Sequence, residues 1–283
     1  MDQIQKEVLE EVEKLGFGLA KVIPQVKDSK GIYYISGSLA MLMLSKTKTI
    51  TPCKLSPTGE FVEVGEKENI TSGQKEALSK GVRKMGADLD VVTITDDDIP
   101  YTAKTQKDLG VDNKKLSNSI FSSLGIDPLA ETHTVGSHNV AVVENEQGQC
   151  ALITCPVDLL LHKASELIML LGRLSDQNLK PTIREICKKK ATKDVLDFSS
   201  MFNAVVQMKM YPKDIVEYIK AIQEHGSQFS TQNTSQSVFN SGCESFINAV
   251  APYIDAEHIE RLNEFAGALP NLQEHNNIST FSL

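Results

Sequence analysis

The apolar periodicity of this chain changes once, at Pro156, and that change limits its architecture more than any other feature. Ahead of it, short β-branched and aromatic runs such as "GIYYISGS" (31–38), "DVVTI" (90–94), "NVAVVEN" (139–145) and "QCALITC" (149–155) alternate with helical stretches. Such runs are the mark of half-buried or buried strands. Beyond Pro156 the apolar residues recur every three or four positions almost without interruption, which is the helical period. The expected fold is therefore α+β: a small mixed β-sheet with helices over residues 1–155, then an all-helical domain over 156–283. A length of 283 residues accommodates two such domains, and a hydrophobic content of 41% supplies their cores.

Several elements follow from local chemistry. Ile4, Val8, Leu9, Val12 and Leu15 predict an acidic amphipathic helix over 4–15. Gly37–Ser38 stands between a strand and the apolar helix "LAMLMLS". Residues 46–68 predict a hairpin turning at Ser56–Gly59. Thr71 and Gln74 have capping-box spacing ahead of "SGQKEALSKGVRKM". An acidic turn "DDDIP" and a helix over 103–125 come next. The last half predicts helices near 156–171, 179–190, 193–210, 213–225, 237–251 and 255–268. A polar loop at 226–237 and a frayed tail after Pro270 complete the chain.

Composition narrows the function. A formal charge of −8 argues against a general nucleic-acid coat, which needs a basic footprint. One local exception, Lys188, Lys189, Lys190 and Lys193, reads either as a solvated helix end or as a surface for a polyanionic acceptor. The longest apolar stretch, "PVDLLLHKASELIMLLG", is interrupted by Asp158, His162, Lys163 and Glu166, too often for a bilayer span. The N-terminus has neither a secretory nor a transit pattern, so a cytoplasmic location is expected. Cys53, Cys150, Cys155, Cys187 and Cys243 show no CxxC and no zinc spacing, as expected of ordinary thiols in a reducing compartment. There is no HExxH, GxSxG or P-loop. His133 and His138 read as loop residues.

The remaining signal is electrostatic. Asp88 and Asp90 sit two apart at the mouth of a buried strand, where like charges repel unless a cation lies between them. A divalent metal is one such cation; two solvated turn residues are the plain alternative. Gly37–Ser38 at a strand-to-helix turn lets phosphate approach backbone amides. Lys163 lies at the edge of the apolar stripe formed by Leu160, Ala164, Leu167 and Leu171, where it either serves a ligand or reaches to water. Asp194 and Asp197 in "KDVLDF" share a helix face. Placed in the first turn of a helix starting at 193, Asp194 would also suit the helix dipole.

In their order, these motifs resemble the nucleotidyltransferase superfamily, and most closely the AbiEii-type enzymes of abortive-infection and toxin–antitoxin pairs. The resemblance rests on "SGSLAMLML", "ADLDVV", "LLLHKASEL" and "KDVLDFSSM", and spans about residues 31–205. It implies Mg²⁺-dependent transfer of a nucleoside monophosphate from a nucleoside triphosphate to an RNA end, a protein or a small molecule, with two Mg²⁺ ions and with a cognate antitoxin as a further partner. Gly37, Ser38 and Arg83 would contact the nucleotide, and Asp88 and Asp90 would bind metal. Lys163 would steady the triphosphate, and Asp194 and Asp197 would lie near the acceptor or the nucleotide. Glu144 is the candidate third metal carboxylate. The segment between Ser38 and Asp88 is longer than usual for the family, and Gly86 replaces the usual Ser or Thr. A non-catalytic nucleotide-binding relative and a helical interaction protein are the two other readings.

Overall fold

A computed structural model describes residues 31–56, 61–82, 88–95, 127–134, 138–224 and 234–273. The helices expected over 4–15 and 103–125, the acidic turn at 96–100, Arg83, and most of the loop at 226–237 lie outside these residues. The chain divides into two compact units, Met1–Pro156 and Val157–Leu283.

The first unit is built on one mixed sheet. Its strands are β1 (Gly31–Ile35), β2 (Thr47–Leu55), β3 (Phe61–Glu63), β4 (Glu68–Asn69), β5 (Asp88–Thr95), β6 (Asp127–Thr134), β7 (His138–Asn145) and β8 (Cys150–Thr154). Their spatial order is β3-β2-β7-β8-β1-β5-β6, with β4 also pairing β2. The pairs β1/β8 and β5/β6 are parallel and the others antiparallel. Tyr34, Cys53, Leu55, Val92, Val140 and Leu152 form a buried apolar cluster across five strands. Helix α1 (Gly37–Ser45) packs beside β5 and against helix α2 (Ser72–Val82). Every residue of α1 from Ser38 to Ser45 is buried, which explains why "LAMLMLS" has no polar face.

Local chemistry fixes the connections. Thr71 Oγ1 accepts from the Gln74 amide at 3.2 Å while Gln74 Oε1 accepts from the Thr71 amide at 2.8 Å, the expected reciprocal cap on α2. At the β7–β8 turn, Asn145 Oδ1 accepts from the amides of Gln147 and Gln149 at 3.0 and 2.9 Å. Gly148 there takes φ +73°, a backbone state open to glycine.

The second unit is helical: α3 (Pro156–Ser175), α4 (Pro181–Val205), α5 (Ile215–Glu224), α6 (Gln236–Val250) and α7 (Ile259–Ala268). One expectation fails here. The predicted break between 190 and 193 is absent, and α4 runs unbroken for 25 residues. "CKKKATKDV" holds no Gly or Pro, lysine is a good helix former, and Thr192 Oγ1 donates to the Lys188 carbonyl at 2.9 Å inside the helix. The lysine run imitates the basic last turn of a helix without ending one. At the other end, Leu269–Leu272 forms a 3-10 turn in which Leu269 and Leu272 are buried, and residues 274–283 of the expected tail lie outside the described residues.

Phe198 and Phe202 of α4 meet Phe246 of α6 and Phe265 of α7, with Phe198–Phe246 edge to face at 5.0 Å. Helices α3 and α6 cross at glycines. A Cβ on Gly172 would lie 1.9 Å from the Val238 carbonyl oxygen, and one on Gly242 would lie 2.1 Å from that of Ile168. Only hydrogen fits at either position, so Gly242→Ala should force the two backbones apart and cost about 3 kcal/mol, read by urea unfolding. Thr71→Ala should cost about 1 kcal/mol in the same assay, because it removes one side of the cap on α2.

Candidate functional site

Apart from Glu144 and the undescribed Arg83, the expected residues fall at two places, one in each unit. In the first unit, β1 ends at Ile35 and Gly37 opens α1 with φ +59°. A side chain would strain that backbone, so the turn favours glycine. The first-turn amides of a helix have no acceptors within it, which suits them to an anion. Ser38 is buried, with 8% of its surface exposed. The β1/β5 register pairs Ile35 with Val91. One further step along β1 leads into the Gly37–Ser38 turn, and one step back along β5 leads to Asp90. Strand β5 begins at Asp88, so Asp88-x-Asp90 and the glycine turn occupy the same end of the sheet on neighbouring strands, about 4.8 Å apart.

The same end holds an acid that the sequence did not single out. Strand β6 starts at Asp127, and its register pairs Asp127 with Asp88. No strand was expected at "GIDPLA", where Gly125 and Pro128 are turn signals. The register explains Pro128: from Asp88/Asp127 to Asp90/Ala130, β6 carries one more residue than β5, and a bulge tolerates a residue without an amide proton. "DPLAETHT" lacks the apolar–polar alternation of a half-buried strand, so the sequence carried little signal for it.

Glu144 does not belong to this group. Ala141, Ile153, Ile35 and Val91 share one row of the sheet. Glu144 stands three residues beyond that row on β7, whereas Asp90 stands one before it on β5, a strand running the same way. The two are about 13 Å apart along the strands and about 14 Å across them. Ligands of one Mg²⁺ ion sit about 2.1 Å from it, so no single ion spans that gap. Glu144 instead receives Lys67 Nζ at 2.6 Å and Thr49 Oγ1 at 3.4 Å. The Lys67 hydrogen bond holds its carboxyl below the ordinary glutamate range. Both histidines expected in a loop are on strands: His133 in β6 and His138 at the start of β7, where its Nδ1 lies 3.1 Å from the Tyr34 hydroxyl.

In the second unit, α3 and α4 bring Lys163, Asp194 and Asp197 together and add Glu166, which the sequence had shown only as a charge interrupting an apolar run. Lys163 is 9% exposed, Asp194 0% and Asp197 2%. The lysine is thus buried rather than extended to water. Its Nζ lies 3.4 Å from Glu166 Oε2, one helical turn on. Lys193 Nζ lies 3.6 Å from Asp197 Oδ2. Burial works against the Lys163 charge, but Glu166, Asp194 and Asp197 together raise its pKa above the ordinary lysine value. Burial raises Asp194 above the usual aspartate range, opposed by Lys163; burial does the same to Asp197, opposed by Lys193 and Lys163. Neither oxygen of Asp194 has a hydrogen-bond partner among the described residues. Because α4 begins at Pro181, Asp194 is deep inside the helix, and the helix-dipole account of it fails. A buried carboxylate without hydrogen bonds is costly, so structure alone gives no reason to keep it.

Among the described side chains, no three His, Cys, Asp or Glu are grouped to hold a metal ion. No described helix is long and apolar enough to cross a membrane. No family model, no curated protein and no solved structure matches the chain.

Lys163→Met should destabilise the protein by about 3 kcal/mol at neutral pH, since it leaves three acids without their common cation. Asp194 has a raised folded pKa, so its ionisation costs stability above that value and nothing below the unfolded one. The stability difference between Asp194→Asn and wild type should therefore be largest near about pH 7 and shrink as the pH falls toward the ordinary aspartate range. Urea melts at stepped pH measure both effects.

Proposed function

We propose that the chain is an Mg²⁺-dependent nucleotidyltransferase that moves a nucleoside monophosphate from a nucleoside triphosphate to a hydroxyl or similar acceptor, breaking the α–β phosphoanhydride bond and releasing pyrophosphate. The observation that carries this reading is the β1/β5/β6 register, which sets the Gly37–Ser38 turn, Asp88-x-Asp90 and Asp127 at one end of three adjacent strands. Backbone amides at the start of α1 would bind phosphate oxygens, and the three aspartates supply the hard oxygen donors that Mg²⁺ prefers. Asp127 takes the place that Glu144 cannot. When bound, Mg²⁺ would neutralise charge on the phosphates and on the attacking oxygen.

The residues of the chain do the rest by position. The left-handed Gly37 keeps side-chain bulk away from the phosphates, and the buried α1 holds its amides rigid, so little ordering is needed when the nucleotide arrives. In the second unit, Glu166, Asp194 and Asp197 favour the charged form of Lys163, which stays a cation there.

Calorimetric titration of each ribonucleoside triphosphate, with and without Mg²⁺, tests the reading. One triphosphate should bind only with Mg²⁺, and Asp88→Asn/Asp90→Asn should weaken it at least about a hundredfold. Failure of every triphosphate to bind would leave the paired aspartates as turn residues.

A further inference from the structure

We propose that the first half of α4 is a docking surface for an acidic, amphipathic helical segment of a partner protein. This is independent of the transferase reading. From Pro181 to Lys190 only Cys187 is buried, so nearly ten residues of helix stand in solvent. Ile183 and Ile186, one turn apart, are 41% and 67% exposed. They belong to a small set of exposed large apolar side chains among the described residues, and their i, i+3 spacing puts them on one helical face. Single exposed isoleucines are ordinary, but a pair on one helical face suits an apolar anchor.

The charge around them is one-sided. Lys180, Arg184, Lys188, Lys189 and Lys190 share the stretch 180–190 with a single acid, Glu185, in a chain whose formal charge is −8, while Lys193 just beyond it pairs with Asp197. The local field is therefore opposite in sign to the protein as a whole. It would draw an acidic partner, whereas the same basic face on two copies of this chain would repel. Arg184 is committed to the Leu174 and Asp176 carbonyls, where it ties the helix to the preceding turn. Lys188 makes an exposed ion pair with Glu185 at 3.2 Å, which a competing carboxylate would displace at little cost. This end of α4 has no acidic first turn and no side-chain N-cap. Its stabilisation from within is thin for a segment with one buried side chain in ten, and a partner would supply the missing contacts.

The isoleucines decide between kinds of partner. Phosphate backbones call for cations and gain nothing from an aliphatic pair. Two isoleucines are too few to hold a helix in a lipid interface. An amphipathic helix with leucines toward Ile183 and Ile186 and glutamates toward the lysines uses both features.

The test titrates the full chain into a labelled peptide of about fifteen residues, with leucine at positions i, i+3, i+4 and i+7 and glutamate elsewhere. Fluorescence anisotropy reports binding. Oligouridylate of the same length and anionic phospholipid vesicles are run in parallel. The expected result is binding of the peptide alone, weakened at least about tenfold by Ile186→Glu and by Lys188→Glu/Lys189→Glu, and weakened by salt. These residues are exposed, so circular dichroism and thermal melting should match wild type. Three results would overturn the proposal: no peptide binding, peptide binding indifferent to both variants, or preferential binding of oligouridylate or vesicles.

Discussion

The pairing of β1 with β5 is the contact on which the rest of the first unit depends. It is antiparallel, so the end of one strand lies beside the beginning of the other. A single residue of slip would turn every side chain of β5 to the opposite face. Tyr34 and Val92, opposite each other in this register, are both buried in the apolar cluster that runs across the sheet. Burial of those residues fixes the register, and the register in turn brings a glycine turn and an acidic strand mouth together. The chemistry proposed for this end of the sheet is thus a consequence of how the core packs.

The second unit shows the opposite arrangement, in which polar groups are held where packing alone would exclude them. Phe198 and Phe202 sit in the core on the same helix that carries Asp194 and Asp197. Lys163, on α3, is compensated by acids from its own helix and from α4. Ion pairs of this kind are a poor way to gain stability, because removing charges from water costs about as much as their attraction returns. Hydrophobic residues of similar size would hold α3 to α4 at least as well. The Asp194 carboxylate, with no hydrogen-bond donor among the described residues, is the clearest sign that stability is not what this cluster serves.

Much of this was legible in the sequence where one local rule governed the outcome. The capping box at Thr71 and Gln74, the β7–β8 turn and the glycine between β1 and α1 all depend on neighbouring residues alone. What could not be read depended on distant pairing. Glu144 looked suitable because it ends a strand, but only the row through Ala141, Ile153, Ile35 and Val91 shows how far it lies from Asp90. Asp127 was hidden by a proline that a bulge accommodates. In α4, the run of lysines imitated a helix end, and only the continuity of the helix reveals that Asp194 lies at its centre. Lys163 and Glu166 have a legible i, i+3 spacing, but that Asp194 and Asp197 join them required knowing how α3 meets α4.

The most direct test of the account is electron paramagnetic resonance of Mn²⁺, a hard ion that takes oxygen ligands as Mg²⁺ does. The free Mn²⁺ signal would be followed as wild type, Asp88→Asn, Asp127→Asn and Glu144→Gln are titrated in turn. The account predicts that wild type and Glu144→Gln remove the signal alike, while Asp88→Asn and Asp127→Asn leave it nearly unchanged. Wild-type behaviour in both aspartate variants, or loss of binding in Glu144→Gln, would contradict it.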